Sequence, residues 1–226
     1  MIISTFRALP YCISSATSSP AAFAKCHADA TARSHNLRGR ALGLVGLGNI
    51  GQRVAARMRA AFAMEVLYYD TERKSAALEA DLGARFVPSL DRLAEASDCV
   101  VLCRPAATGA DRRPIIDRAL LAKFRPGARF VNVARGSLVD EDALADALDD
   151  GRLAAVALDV HANEPHVNPR LTRHAGDRAW LSCHNGGGTL ETHAGFEELG
   201  MRNITAVLQG REPITPVNLQ YLAKKS

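Results

Sequence analysis

The chain has 226 residues, 47% hydrophobic and 23% charged, enough to bury a full core, so it is neither a disordered tail nor a disulfide-stapled miniprotein. Its 28 basic and 24 acidic side chains leave a net charge of +4, all of it before Ala41; beyond that point 23 basic residues face 23 acidic ones. A balanced body argues against a nucleic-acid surface, which needs a concentrated Lys/Arg face to displace counterions, and no apolar stretch approaches membrane-spanning length.

Residues 1–28 contain no Asp or Glu and are rich in Ser and Ala, a superficial likeness to an organellar transit peptide. A secretory signal is disfavoured because Arg7 and Pro10 cut the apolar start. The plainer reading is a helix over Met1–Ser15 followed by a Ser/Pro/Ala connector. Five cysteines in no framework spacing fit a reducing compartment, and the expected location is cytoplasmic rather than mitochondrial. Cys99 and Cys103 enclose a strand-like Val-Val-Leu segment with no Cys/His cluster, so no metal site is expected.

From Ala41 on, short apolar runs alternate with helical patterns, the habit of a parallel sheet buried on both faces. Strands are expected at Ala41–Val45, Glu65–Tyr69, Arg85–Val87, Cys99–Cys103, Arg129–Val133, Ala154–Val160 and Trp180–Ser182, which makes an α/β, doubly wound parallel sheet of the Rossmann type. Ser89 and Asp117 sit where N-caps belong, Pro126-Gly127 is expected to stop the helix after Asp117, and Asp140-Glu141-Asp142 loads a helix start with charge its dipole favours. Gly151 closes that helix. A longer one is expected to begin after Thr189 and run to about Leu208, with Leu199, Met201, Ile204, Val207 and Leu208 as its later apolar positions, before a tail marked by Pro213 and Pro216.

Gly46-Leu47-Gly48-Asn49-Ile50-Gly51 directly follows the first of these strands and opens a helix, the context that gives G-x-G-x-x-G meaning. Gly46 permits the tight turn, Gly48 lets backbone N–H groups approach a pyrophosphate, and Gly51 lets the helix pack closely on the strand. The helix N-terminus supplies positive partial charge. Asp70 ends the second strand, where a carboxylate accepts hydrogen bonds from an adenosine ribose and repels a 2′-phosphate. That favours NAD over NADP, although Arg73 could instead pair with such a phosphate, and Asp70 could be a plain surface acid capping a loop.

Asn132-Val133-Ala134-Arg135-Gly136 places an arginine just past a strand end, the edge where open α/β sheets bind ligands. Leu158-Asp159-Val160 and Asn163-Glu164-Pro165 follow the next strand, and Ser182-Cys183-His184-Asn185-Gly186-Gly187-Gly188 the last. A guanidinium, a carboxylate and an imidazole thus leave three successive strands and could converge on one crevice. Taken singly, each has an ordinary reading: Arg135 as a helix-entry residue, His184 as a loop histidine, Glu164 as a solvated turn acid, Asp159 as a strand-end hydrogen-bonding group. His161, His166, His174 and His193 carry no comparable motif and read as surface or packing residues.

These motifs, in this order, resemble the D-isomer-specific 2-hydroxyacid dehydrogenase family, specifically its NAD-binding domain in glyoxylate- or hydroxypyruvate-reductase-like members, from about Asn36 to Asn218. The resemblance implies that Arg135 binds the substrate carboxylate, His184 gives or takes the proton, and Glu164 hydrogen-bonds His184. It implies contact of Asp159 with the nicotinamide carboxamide, and a cofactor-facing set of Gly46, Gly48, Asn49, Ile50, Gly51, Asp70, Arg104, Pro105, Thr108, Val133, Ala134, Asp159, Gly186 and Gly187. The chemistry agrees: a planar guanidinium suits a carboxylate, imidazole suits proton transfer near neutral pH, and a neighbouring carboxylate favours its protonated form.

Two departures from the family pattern stand out. Arg104 and the stretch Gly109 to Pro114 are unusual in a loop that commonly carries a Pro-containing turn with threonines, of which Thr108 is the survivor. By the resemblance the family also has an upstream substrate lobe, of which almost none is expected in this sequence, and Met1–Arg7 looks like the start of the interlobe helix that helps form a homodimer. The expected organisation is an N-terminal helix and connector over 1–35, an NAD-binding domain over 36–195, and a C-terminal helix and tail over 196–226. The expected function is NAD-dependent interconversion of small 2-hydroxy and 2-keto acids, with no nucleic-acid or membrane partner. The alternative is a catalytically impaired NAD-binding fragment or dimer-modulating protein; a methyltransferase is disfavoured because it leaves Arg135, Glu164 and His184 without a role.

Overall fold

The computed structural model describes residues 19–105 and 113–217. The Met1–Ser15 helix, Thr108 and the tail from Asn218 lie outside the described residues. The chain forms two compact units that divide between His184 and Asn185.

The first unit contains seven strands: β1 Ala41–Val45, β2 Glu65–Tyr69, β3 Ala84–Phe86, β4 Cys99–Leu102, β5 Ala128–Asn132, β6 Leu153–Leu158 and β7 Ala179–Leu181. All pairings are parallel, in the order β3-β2-β1-β4-β5-β6-β7, so the order reverses between β1 and β4. The connecting helices are α2 Asn49–Phe62, α3 Ala76–Leu82, α4 Leu90–Ala96, α5 Arg118–Leu121, α6 Glu141–Asp149 and α7 Pro169–Thr172, with α1 Pro20–Arg33 ahead of the sheet.

Period-two alternation explains why these runs are apolar throughout. Along β1, Leu42 and Leu44 join one core with Ala55 and Met58 of α2, while Ala41 and Val45 join the other with Leu93 of α4 and Leu144 and Leu148 of α6. In β4, Cys99 and Val101 go to the first core and Val100 and Leu102 to the second. A strand covered on both faces has no polar side, and each large side chain so buried contributes about 1.5–3 kcal/mol.

The register places the site. Tyr69, Val45, Leu102, Asn132, Leu158 and Leu181 are successive partners across the sheet, so the carboxyl ends of β2, β1, β4, β5, β6 and β7 lie in one row. The glycine turn, Asp70, Arg135, Glu164 and His184 all follow residues of that row.

Three expectations are corrected. The Ser/Pro/Ala segment is a helix, α1, from Pro20 on, because the Ser19 hydroxyl oxygen accepts the Ala22 N–H at 3.1 Å and Pro20 suits a first helical position. Helix α5, capped by Asp117, ends at Leu121, where Lys123 and Phe124 close tight turns onto Leu120 and Leu121, and does not run to Pro126-Gly127. Strand β6 ends at Leu158 because Asp159 and Val160 already belong to the turn that carries the site.

In the second unit, α8 Leu190–Leu208 starts at Thr189, whose side chain caps the Thr192 N–H. A division at 195/196 therefore falls inside a helix. Asn203 fastens the tail by donating to the Thr215 hydroxyl and accepting the Thr215 N–H, each at 3.0 Å. Phe196, Met201, Ile204, Val207 and Leu208 are exposed.

Candidate active site

Gly46 has φ +97°, a conformation that disfavours any side chain, and its N–H donates to the Tyr69 carbonyl at 2.8 Å. A Cβ on Gly51 would lie 2.3 Å from the Gly46 oxygen, so glycine there lets α2 start against the turn. A Cβ on Gly48 would meet nothing within 4 Å, which leaves open the side from which a phosphate approaches the helix N-terminus. Gly48, Asn49 and Ile50 are all exposed. The turn fits a dinucleotide pyrophosphate.

Beside it, a cavity of about 130 Å³ is lined by Val45, Gly46, Tyr69, Asp70, Thr71, Arg104 and Pro105. It brings together Gly46, Asp70, Arg104 and Pro105 from the ends of β1, β2 and β4, at the point where the strand order reverses. Asp70 accepts the Leu47 N–H at 3.0 Å and the Thr71 N–H at 2.8 Å, and Lys74 pairs with it at 3.0 Å. Burial alone would push the Asp70 carboxyl up, but these donors outweigh it and hold the group below the ordinary carboxylate range. Arg73 points elsewhere: it grips Glu79 through two bonds, Nε to Oε1 at 2.9 Å and Nη2 to Oε2 at 2.8 Å, and lies over the Phe86 ring. Glu79, which also accepts the Tyr68 hydroxyl at 2.7 Å, is held down to about 2 by Arg73 and Tyr68.

At the other half of the row, His184 Nδ1 lies 2.9 Å from Glu164 Oε2. A carboxylate only accepts, so Nδ1 donates and Nε2 is left for proton exchange. Glu164 Oε1 accepts the His161 N–H at 2.9 Å. The His184 bond first, and the His161 N–H second, hold the Glu164 carboxyl below its ordinary value. His184 has φ +55°, a strained conformation for a side-chain-bearing residue, so its loop is held in place by its contacts.

Arg135 is not bonded to either member of that pair; its Nη1 donates to the Ala134 carbonyl at 2.6 Å. Its loop nonetheless reaches them. A Cβ on Gly136 would lie 1.9 Å from the His161 carbonyl carbon and 2.3 Å from the Ala162 nitrogen, so the segment carrying Arg135 presses on the one that leads to Glu164. Buried Asn132 shapes this turn, accepting the Ala134 N–H at 3.0 Å and donating to the Arg135 carbonyl at 3.1 Å. Val133 extends the ladder by donating to Leu102, and Ala134 is buried. Asp159 is buried and accepts the Ser182 hydroxyl at 2.7 Å, tying the β6 and β7 ends. Gly186 and Gly187 lie in the second unit, beyond His184.

Sequence reading missed Glu79 and Lys74, and the structural roles of Asn132, Gly136, Glu141 and His161. Glu141 does more than favour a helix dipole: it is 9% exposed and its Oε1 accepts the Ala162 N–H at 2.8 Å. A signal existed for Asn132, a polar residue ending an apolar strand, and none existed for Glu79.

The sequence profile of the D-isomer specific 2-hydroxyacid dehydrogenase, NAD binding domain, matches residues 1–186. The chain belongs to this family. Among relatives in the 2-hydroxyacid dehydrogenase family, a glyoxylate reductase of Pyrococcus furiosus is 38% identical over 188 residues, which are 83% of this chain and 54% of that protein. The holo D-mandelate dehydrogenase of Rhodotorula graminis superposes with a TM-score of 0.88 at 39% identity, over 96% of this chain and 62% of that one. A glyoxylate reductase from Paecilomyes thermophila superposes with a TM-score of 0.82 at 36% identity, over 97% and 62% respectively. The chain spans about half the length of the Pyrococcus reductase that it matches. Among the described residues, no helix is long and apolar enough to cross a membrane and no His/Cys/Asp/Glu group is arranged to hold a metal ion.

Proposed function

We propose that this chain carries the cofactor half of an NAD-dependent 2-hydroxyacid dehydrogenase that interconverts small 2-hydroxy and 2-keto acids, with glyoxylate and hydroxypyruvate as first substrates to try. The observation that carries the reading is the 2.9 Å His184–Glu164 pair, at the same sheet edge as the glycine turn. The nicotinamide supplies or accepts a hydride when bound.

In keto-acid reduction His184 delivers a proton from Nε2 to the forming hydroxyl oxygen, and in the reverse direction takes it back. Glu164 fixes the ring orientation through Nδ1. Arg135 exchanges its single bond to the neighbouring main-chain carbonyl for a two-pronged bond to the substrate carboxylate. Asp159, held by Ser182, offers an acceptor to the nicotinamide carboxamide. The carboxylate of Asp70 takes the adenosine ribose hydroxyls, and because Glu79 occupies Arg73, that guanidinium is held away from a 2′-phosphate. NAD is therefore the cofactor favoured over NADP.

Fluorescence titration with NADH, followed by NADH oxidation with a panel of 2-keto acids, tests the assignment. Binding is expected to survive Arg135→Ala and His184→Ala while oxidation is lost in both. A chain that binds no nicotinamide dinucleotide, or whose turnover ignores both substitutions, overturns it. Binding without turnover in the unsubstituted chain leaves the alternative, a dinucleotide-binding or dimer-modulating protein.

A further inference from the structure

His161 carries no recognisable motif, yet it is 6% exposed and bonds in two directions. Its Nε2 lies 2.9 Å from the Ser182 carbonyl oxygen, and its main-chain N–H donates to Glu164 Oε1 at 2.9 Å. A carbonyl can only accept, so the imidazole is protonated on Nε2. Its Nδ1 is buried without a hydrogen-bond partner among the described residues, and a proton there would find no acceptor.

These bonds close a ring. From the His161 main chain the path runs to Glu164, through the carboxylate to His184, back along the chain to Ser182, and across to the His161 imidazole. His161 contributes two of the ring's contacts and is buried, whereas His184 and Glu164 have side chains 47% and 36% exposed. The strained backbone of His184 needs such an anchor, and the Ser182 carbonyl is two residues away from it. The Ser182 N–H bond to Leu158 and its hydroxyl bond to Asp159 fix the strand end, and its carbonyl faces the His161 imidazole.

We propose that His161 is the positioning residue of this site: its imidazole pins the Ser182 carbonyl and its main chain pins Glu164, so that the His184 ring stays against the Glu164 carboxylate. This rests on the reading of His184 and Glu164 as the proton-transfer pair. His161 touches no reacting atom and acts through those two residues.

The test uses the full chain. Nitrogen-15 spectra of the unsubstituted protein should show one buried imidazole locked as the Nε2–H tautomer and lost in His161→Phe. In His161→Phe, which keeps ring bulk but no donor, the carbon-13 titration midpoint of Glu164 should rise by about half a pH unit or more, and kcat should fall about tenfold with NADH affinity within about twofold. His161→Gln, whose amide N–H reaches about as far as Nε2, should restore both. An Nδ1–H tautomer, a Glu164 midpoint unmoved in the Phe variant, or a Gln variant that departs from the unsubstituted protein as far as Phe does overturns the proposal. Should His161→Phe not fold, the tautomer and the Gln variant decide it. Absence of turnover in the unsubstituted chain defeats the functional reading alone, since tautomer and titration still judge His161.

Discussion

Gly136→Ala perturbs the place where two loops of the site meet. The added methyl would sit 1.9 Å from the His161 carbonyl carbon, 2.0 Å from its oxygen and 2.3 Å from the Ala162 nitrogen, where ordinary contact begins near 3.4 Å. All three obstacles are main chain, so no side chain can rotate away, and the two segments must part by about 1.5 Å. Overpacking of this kind costs about 1–3 kcal/mol. Parting them also strains the 2.8 Å bond from the Ala162 N–H to buried Glu141, adding about 1 kcal/mol. The sum, about 2–4 kcal/mol, corresponds to a drop in Tm of roughly 4–16 °C for a chain of this size, read by circular dichroism at 222 nm. Gly200→Ala is the control: it lies within α8 with nothing within 4 Å of the new methyl, and should leave Tm unchanged or raise it by the helix preference of alanine. A Gly136→Ala protein melting within about 2 °C of the parent would refute the claim that this glycine exists for close approach.

Gly48→Ala should leave stability within about 0.5 kcal/mol, since its methyl meets nothing, yet weaken NADH binding about tenfold or more by filling the space over the helix N-terminus; equal affinity in a titration counts against the pyrophosphate assignment. Glu79→Gln frees Arg73 from its two-bond grip and should raise the ratio of NADPH to NADH affinity, with a further rise in the double variant with Asp70→Asn; an unchanged ratio sinks the account of cofactor choice. Because the Glu79 carboxyl is held down to about 2, its contribution to stability is fully present above the ordinary carboxylate range and fades as pH falls towards about 2; denaturation at stepped pH should show this acid loss shrinking in Glu79→Gln. Glu164→Gln should likewise flatten the acid limb of stability, its carboxyl also being depressed, and should lower keto-acid reduction without lowering NADH affinity.

The sheet was legible because its strands are buried on both faces: a run such as Cys99–Leu102 has no polar side to blur it, and only its last residue was misplaced. The glycine turn was legible because its spacing follows from backbone sterics. The Ser19-Pro20 pair was misread because Ser-Pro marks a loop and a helix start equally well, and only the Ser19 to Ala22 bond separates the two. The loop residues that hold the site could not be read at all. His161 and Ser182 are far apart in sequence, and their bond depends on β6 and β7 ending side by side, a fact of register rather than composition.

That register also underlies the proposal that three residues with separate local roles act as one site. Neighbouring strands lie about 4.8 Å apart, so β5 and β7, with β6 between them, are about 10 Å apart at the row of Asn132, Leu158 and Leu181. On the proposed reading, a substrate carboxylate and a carbonyl two bonds away from it are closer together than that, which requires the loops beyond the row to lean inward over β6. Two contacts reach the β6 turn from its two sides: Gly136 lets the Arg135 loop press on the His161–Ala162 peptide, and the His161 imidazole bonds the Ser182 carbonyl. The β6 turn is thus the point both neighbours close upon, and Glu164, which issues from it, meets His184 there. Substitutions at Gly136 and His161 should therefore couple when combined, their joint effect on turnover differing from the sum by about 0.5–3 kcal/mol, whereas either combined with Gly48→Ala, beyond β4 on the cofactor side, should add simply.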